Sequence, residues 1–268
     1  MSSAGSAVAV AQFAPTADPA ANLDAMRVLV ERAAGRGATL VVFPEYSSYF
    51  ESELSQGFVD AAEPLDGPFV TGLAALAVEA QVHIVAGLVE STDDPARFSN
   101  TLVALSPAGH LVASYRKIHL YDAFGGRESD WVVAGDLAAP QTFGWGGFTV
   151  GLQTCYDIRF PEVTRRIVDA GADLVAVPAE WVRGPLKEHH WRTLVTARAI
   201  ENTVYVAAAD QPPPVGAGNS MVVDPMGVEI ATVGETTDVA VAWITPDRVT
   251  ETRVINPALE LRRFGVTV

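Results

Sequence analysis

Apolar residues recur along this chain in two ways, as short continuous runs and as longer stretches at helical spacing. The run Ala7 to Ala14 (AVAVAQFA) predicts a buried strand, closed by a turn from Pro15 to Pro19. Between Asn22 and Arg36, Leu23, Met26, Val30 and Ala33 repeat as one face of a helix, and Gly35 and Gly37 stop it. Thr39 to Phe43 predicts a second buried strand, ending in Pro44-Glu45, and a polar, irregular loop runs from Tyr46 to Leu65. A helix from about Pro68 to Ala80 and a strand from Val82 to Val89 follow. Asn100 to Leu105 and His110 to Tyr115 flank Ser106-Pro107-Ala108-Gly109, which predicts a hairpin.

The second half repeats the first. Val8-Ala9-Val10-Ala11-Gln12 is echoed by Thr149-Val150-Gly151-Leu152-Gln153, and Ala38 to Pro44 by Ala172 to Pro178. The hairpin beginning at Asn100 returns at Asn219 to Gly227. Between them lie a helix from about Lys187 to Ile200 and a strand from Val204 to Ala208. Three matched segments in the same order predict two pseudo-symmetric βαβαββ halves, about 7–116 and 147–244, joined by the linker Lys117 to Gln141 and followed by a tail from 245 to 268. Each half must bury an apolar sheet face. Stacking the two mixed sheets with helices outside gives a single α/β domain, a four-layer αββα sandwich. The Ala-rich helix His190 to Ile200 suggests a further partner surface, either a homodimer contact or internal packing.

Composition narrows the function. Apolar residues make up 49% of 268, enough for a large packed core. A net charge of −14 argues against nucleic acid and against an anionic membrane surface. The start, Met1 to Ser6, has no secretory pattern, and no apolar run reaches the length of a membrane span, so a cytoplasmic location is expected. One cysteine excludes an internal disulfide and a Cys-based zinc site. His83, His110, His119, His189 and His190 fall on separate segments or point apart, so neither a metal nor any other cofactor is expected.

Three places interrupt the apolar pattern with reactive side chains. Glu45 ends a buried strand in Phe43-Pro44-Glu45, where α/β folds put their active sites. Lys117 stands in Tyr115-Arg116-Lys117-Ile118-His119-Leu120, at the end of the strand that closes the first half. Cys155 ends the apolar run Phe148 to Leu152 and precedes a helix-like segment, Pro161 to Ala170. A helix N-terminus there favours a thiolate, and its N–H groups suit an oxyanion. Pseudo-symmetry puts equivalent strand ends on one rim, so Glu45 and Cys155 can share a pocket.

These blocks, with Cys155-Tyr156-Asp157-Ile158-Arg159-Phe160-Pro161-Glu162, resemble the signature blocks of the nitrilase (carbon–nitrogen hydrolase) superfamily. The likeness extends to Ala197-Arg198-Ala199-Ile200-Glu201-Asn202 and to Asn219 to Gly227. It implies that Glu45, Lys117 and Cys155 are a catalytic triad, with Glu128 in Gly126-Arg127-Glu128-Ser129 as a second glutamate that orients the amide or supports Lys117. Such an enzyme attacks with Cys155, uses Glu45 as base and acid, and holds the oxyanion on Lys117 and the Tyr156 N–H. True nitrilases carry Trp-Glu after the cysteine, whereas Tyr156-Asp157 is similar to the branch of ω-amidases and deaminated-glutathione amidases. The expected reaction is therefore hydrolysis of a small carboxylate-bearing amide through a thioester, with release of ammonia and with water as the other substrate.

A carboxylate needs a cation. Arg159 and Arg183 are candidates, Arg159 being equally able to pair with Glu162 or Asp157 as scaffold. His189, His190 and Trp191 either line the mouth or begin the next helix, and the loop Tyr121 to Arg127 should overhang the site. Two rivals stay open: hydrolysis of an N-carbamoyl compound or a nitrile on the same triad, and a non-catalytic αββα binding module.

Overall fold

The computed structural model describes residues 5–267. In chain order the first half holds β1 (Ser6–Gln12), α1 (Pro19–Gly35), β2 (Leu40–Val42), α2 (Gln56–Asp60), α3 (Pro68–Ala80), β3 (His83–Ser91), β4 (Phe98–Leu105) and β5 (Leu111–Arg116). The second holds β6 (Thr142–Trp145), β7 (Phe148–Leu152), α4 (Pro161–Asp169), β8 (Leu174–Pro178), α5 (Lys187–Asn202), β9 (Tyr205–Ala209), β10 (Met221–Val223), β11 (Glu229–Thr232), β12 (Asp238–Ile244) and α6 (Pro246–Ile255). Short 3₁₀ turns cover Glu128–Asp130 and Cys155–Arg159.

Two six-stranded sheets form, ordered β12-β1-β2-β3-β4-β5 and β11-β10-β9-β8-β7-β6. In each, three central strands run parallel and the outer ones antiparallel. The central strands are apolar on both faces because both faces are covered. Val8 and Val10 meet Val150, Leu174 and Ala207 between the sheets. The alternate residues Ala9 and Ala11 pack with Met26, Leu29 and Leu73 of α1 and α3, and Val175 and Val206 pack with Ile167, Trp191 and Val195 of α4 and α5. The expected αββα layering is the observed one.

Local differences have local causes. α1 starts at Pro19, ahead of Asn22, because Asp18 caps it by accepting from the N–H groups of Ala20 (3.0 Å) and Ala21 (3.1 Å). The loop after Glu45 contains α2, whose Phe58 anchors an aromatic cluster with Tyr46, Tyr49 and Phe98. The segment Asp238–Ile244 pairs with β1 of the first sheet, from Ser6↔Ile244 to Gln12↔Asp238. The tail folds back on its own chain: Arg253 pairs with Asp173, Arg262 with Asp169, and Leu259 packs on the α4–α5 core.

Candidate active site

Glu45 leaves the end of β2 through a narrow gap. A Cβ on Gly87 of the neighbouring β3 would lie 2.3 Å from the Tyr46 nitrogen, so only glycine lets the two backbones pass. Tyr46 turns at φ +57°, and the Ser47 hydroxyl donates to the Pro44 carbonyl (2.6 Å), which locks the turn. The second half holds Glu45 as well. The Glu180 N–H donates to Oε2 (2.7 Å) and Gln211 Nε2 donates to the Glu45 carbonyl (3.1 Å).

Lys117 follows β5, and its Nζ donates to Glu45 Oε1 (2.9 Å) and to both oxygens of Glu128 (3.0 and 2.9 Å). All three residues are buried. Asn100 Nδ2 of β4 bridges the two glutamates at 2.6 and 3.0 Å, while the Tyr46 hydroxyl and the Tyr121 N–H also donate to Glu128. Burial works against the Lys117 charge, yet Glu128 and Glu45 outweigh it and hold the ammonium well above its ordinary pKa. Burial likewise opposes the charge of Glu128, but Lys117 and its hydrogen bonds prevail and hold this carboxyl below the usual range.

Cys155 opens the 3₁₀ turn after β7 at φ +43°, unusual for a residue with a side chain. Asp157 fixes that turn. Its carboxylate accepts from the Tyr115 hydroxyl (2.6 Å), the Thr154 N–H (3.2 Å) and the His119 N–H (3.1 Å), tying the turn of Cys155 to the segment that carries Lys117. Sγ donates to the Glu180 carbonyl (3.5 Å). The expected thiolate is disfavoured here. Burial and the charge of Glu45 push the Cys155 thiol well up, and Lys117 only partly offsets them. One ammonium already faces two carboxylates, so a third negative charge there is disfavoured. α4 begins six residues later, and a helix dipole falls off within about one turn.

These groups open on a cavity of about 440 Å³, lined by Glu45, Lys117, Glu128, Cys155 and Tyr156, with Tyr121 to Arg127 overhanging it through Tyr121, Gly125, Gly126 and Arg127. As the second residue of its turn, Tyr156 keeps its N–H outside the turn's own hydrogen bonds. The two expected arginines lie elsewhere. Arg183 pairs with Glu188 (3.3 Å) and Glu235 (3.2 Å) on the exposed rim. Arg159 pairs with neither Glu162 nor Asp157. It stacks 4.7 Å from the Trp181 ring centre, outside the cavity lining, with His190 Nδ1 3.5 Å from Nη2. His189, His190 and Trp191 belong to the first turns of α5.

Three lining or supporting residues escaped the sequence reading. Asn100 had a signal, since it opens the hairpin repeat. Glu180 follows β8 as Glu45 follows β2, one position farther past the matched prolines Pro178 and Pro44, so the repeat itself marked it. Its Oε1 is buried without a partner, although the residue keeps some exposure. Burial, then the charges of Glu45 and Asp210, raise this carboxyl well above the ordinary range. Lys187 is the third, at the start of α5 in Pro185-Leu186-Lys187, and nothing in its local pattern pointed inward. Its ammonium lies 4.9–5.0 Å from the ring centres of Tyr121, Phe124 and Trp181. Such contacts contribute about 0.5–2 kcal/mol each, against several kcal/mol for desolvating an ion. Among the described residues no cluster of three or more His, Cys, Asp or Glu could hold a metal ion, and no helix is long and apolar enough to cross a membrane.

Comparison with known proteins gives the same picture. A deaminated glutathione amidase of Escherichia coli O157:H7 is 40% identical over 260 residues, 96% of this chain and 97% of that protein. The NitFhit protein of C. elegans superposes with a TM-score of 0.88 at 30% identity, covering 98% of this chain and 66% of that one. A variant of the Nesterenkonia sp. AN1 amidase, with the acetamide moiety of fluoroacetamide added covalently at its active-site cysteine, superposes at 0.78 with 26% identity over 97% of this chain and 98% of its own. The carbon–nitrogen hydrolase family model matches residues 7–254, and this chain, from β1 to the last turn of α6, belongs to that family.

Proposed function

We propose that this carbon–nitrogen hydrolase is an amidase whose substrate is a small carboxylate-bearing amide, cleaved through a Cys155 thioester with release of ammonia. The observation that carries the reading is the buried ammonium of Lys117, fixed by Glu45 and Glu128 at the floor of the cavity that holds Cys155. Sγ attacks the amide carbon while its proton passes to Glu45, which avoids ever forming a free buried thiolate. The carbonyl electrons move to an oxyanion held by Lys117 and the Tyr156 N–H. Collapse breaks the C–N bond, and Glu45 returns the proton to the departing nitrogen. Water then gives a proton to Glu45 as it attacks the thioester, the C–S bond breaks, and the thiol is restored by the same proton. Glu128 keeps Lys117 charged and aimed. The acetamide adduct on the active-site cysteine of the Nesterenkonia enzyme supports a nucleophilic cysteine, and the substrate in the E. coli relative's name supports the substrate class.

The test is ammonia release from 2-oxoglutaramate, succinamate, butyramide, an N-carbamoyl amino acid and a nitrile, by the native protein and by Cys155→Ala. We expect turnover of the carboxylate-bearing amides, lost by at least about 10³-fold in the variant. Preference for the carbamoyl compound or the nitrile would replace the substrate class. Silence on all five, with a thiol inert to iodoacetamide, would favour a non-catalytic module.

Two further features belong to the proposal. The chain acts in the cytoplasm as one catalytic domain, and it self-associates as a homodimer or larger. Exposed Ile200, Met226, Val228, Trp243, Val254 and Ile255 support association, which sedimentation velocity checks directly.

A further inference from the structure

We infer that Lys187 is the specificity-determining cation of this site, taking the substrate's carboxylate from inside a box of three aromatic rings. The inference rests on the amidase reading and names what holds the acid end of its substrate.

The chain has only two lysines, Lys117 and Lys187, against sixteen arginines, and both lysines line the one cavity. Lys117 is fully engaged by Glu45 and Glu128. Lys187 is only 6% exposed, yet among the described residues no carboxylate lies within 4.0 Å of it. Among the described residues the ammonium's one hydrogen bond goes to the Tyr121 hydroxyl, at 3.3 Å. Acidic residues are not scarce in a chain with 32 of them, yet none pairs with this ammonium.

The backbone that carries this side chain is also held in place. The Lys187 N–H donates to the Gly184 carbonyl (3.0 Å), and Trp181 Nε1 donates to the Lys187 carbonyl (2.8 Å). Tyr121, Phe124 and Trp181 surround the charge without neutralising it, and the ring faces confine an incoming group to the cavity side. Burial first, and Arg159 among the neighbouring charges, lower the Lys187 pKa, and an anion bound beside it reverses that pressure. A carboxylate suits the gap: it accepts a charge-assisted hydrogen bond from Nζ and a second from the Tyr121 hydroxyl. Arg183 is already paired on the rim, and Arg159, which packs against the same Trp181 and Phe124 rings, stands outside the cavity lining, so of these three cations Lys187 is the one that lines the cavity.

The experiment measures how glutarate protects Cys155 from iodoacetamide in the native protein, Lys187→Met and Lys187→Arg. Native protein should be protected, Lys187→Met should need at least about ten-fold more glutarate, and Lys187→Arg should fall between them. In parallel, the ratio of kcat/KM for succinamate to that for butyramide should fall by about 10–10² in Lys187→Met. Equal protection of native protein and Lys187→Met, or none in either, overturns the assignment, as does an unchanged ratio. Should Lys187→Met lose its cooperative thermal transition, Lys187→Gln takes its place. Protection without turnover of any amide would sink the amidase reading alone and leave Lys187 as a carboxylate site.

Discussion

Lys117 keeps its charge while buried because three carboxylate oxygens accept from one Nζ, and that ammonium in turn helps hold the Glu128 carboxyl below its usual range. Lys117→Met should therefore do two things. On the proposed mechanism it removes an oxyanion donor, with a loss in kcat of about 10²–10³, and it leaves the buried carboxyls of Glu45 and Glu128 without their shared cation, which disfavours charge on both. The check is steady-state kinetics alongside the pH dependence of iodoacetamide reaction with Cys155. Glu180 makes the opposite case. Its carboxyl is raised in the folded protein, so between the unfolded and folded values the unfolded chain is more ionised there than the folded chain. Stability is thus lost as pH rises above the unfolded value and on towards the folded one. Glu180→Gln should raise the melting temperature at pH 7 by a few degrees, roughly 3 °C, and the gain should vanish near pH 4. An equal gain at both pH values would show packing rather than ionisation at work.

Elements matter here through their ends. β2 could stop anywhere in a buried apolar run, but Gly87 on β3 decides where the chain turns and so where Glu45 points. Gly87→Ala should displace the Glu45 turn and cost about 10² or more in kcat, with iodoacetamide labelling of Cys155 reporting whether the thiol's surroundings moved with it. Asp157 plays the same part for the nucleophile's 3₁₀ turn. The strands, helices and hairpins of the two repeats were legible because apolar period and turn residues are local properties. α2 was not, being a single short helix held by tertiary contacts of Phe58. β6 and β12 were missed for a related reason: each is an outer strand whose pairing, not its composition, makes it a strand.

At the scale of the molecule, the first and last strands meet. β12 closes the first sheet against β1 and buries Val239, Ala242 and Ile244. Removing residues 238–268 should leave β1 as an unpaired apolar edge and give insoluble protein. Removing only 256–268 takes away the Arg262–Asp169 pair and Leu259, leaving β12 and α6 in place. Such a half-exposed pair contributes about 0–1 kcal/mol, so this truncation should stay soluble, with a melting temperature lower by only a few degrees. Expression and thermal melting of the two truncations check the contrast.

The sequence by itself determined the repeat, the layered fold, and Glu45, Lys117 and Cys155 as chemically capable strand ends, because periodicity and residue type are written position by position. It also marked Glu128 through its likeness to a known family. Tertiary structure decided what those groups become. That the Cys155 thiol is raised, that Glu180 is raised and Glu128 lowered, and that Lys187 stands in the cavity while Arg183 is spent on rim carboxylates all depend on distances between segments far apart in sequence. Charge states follow from burial and from the sum of neighbouring charges, and neither quantity exists until the two halves are packed together.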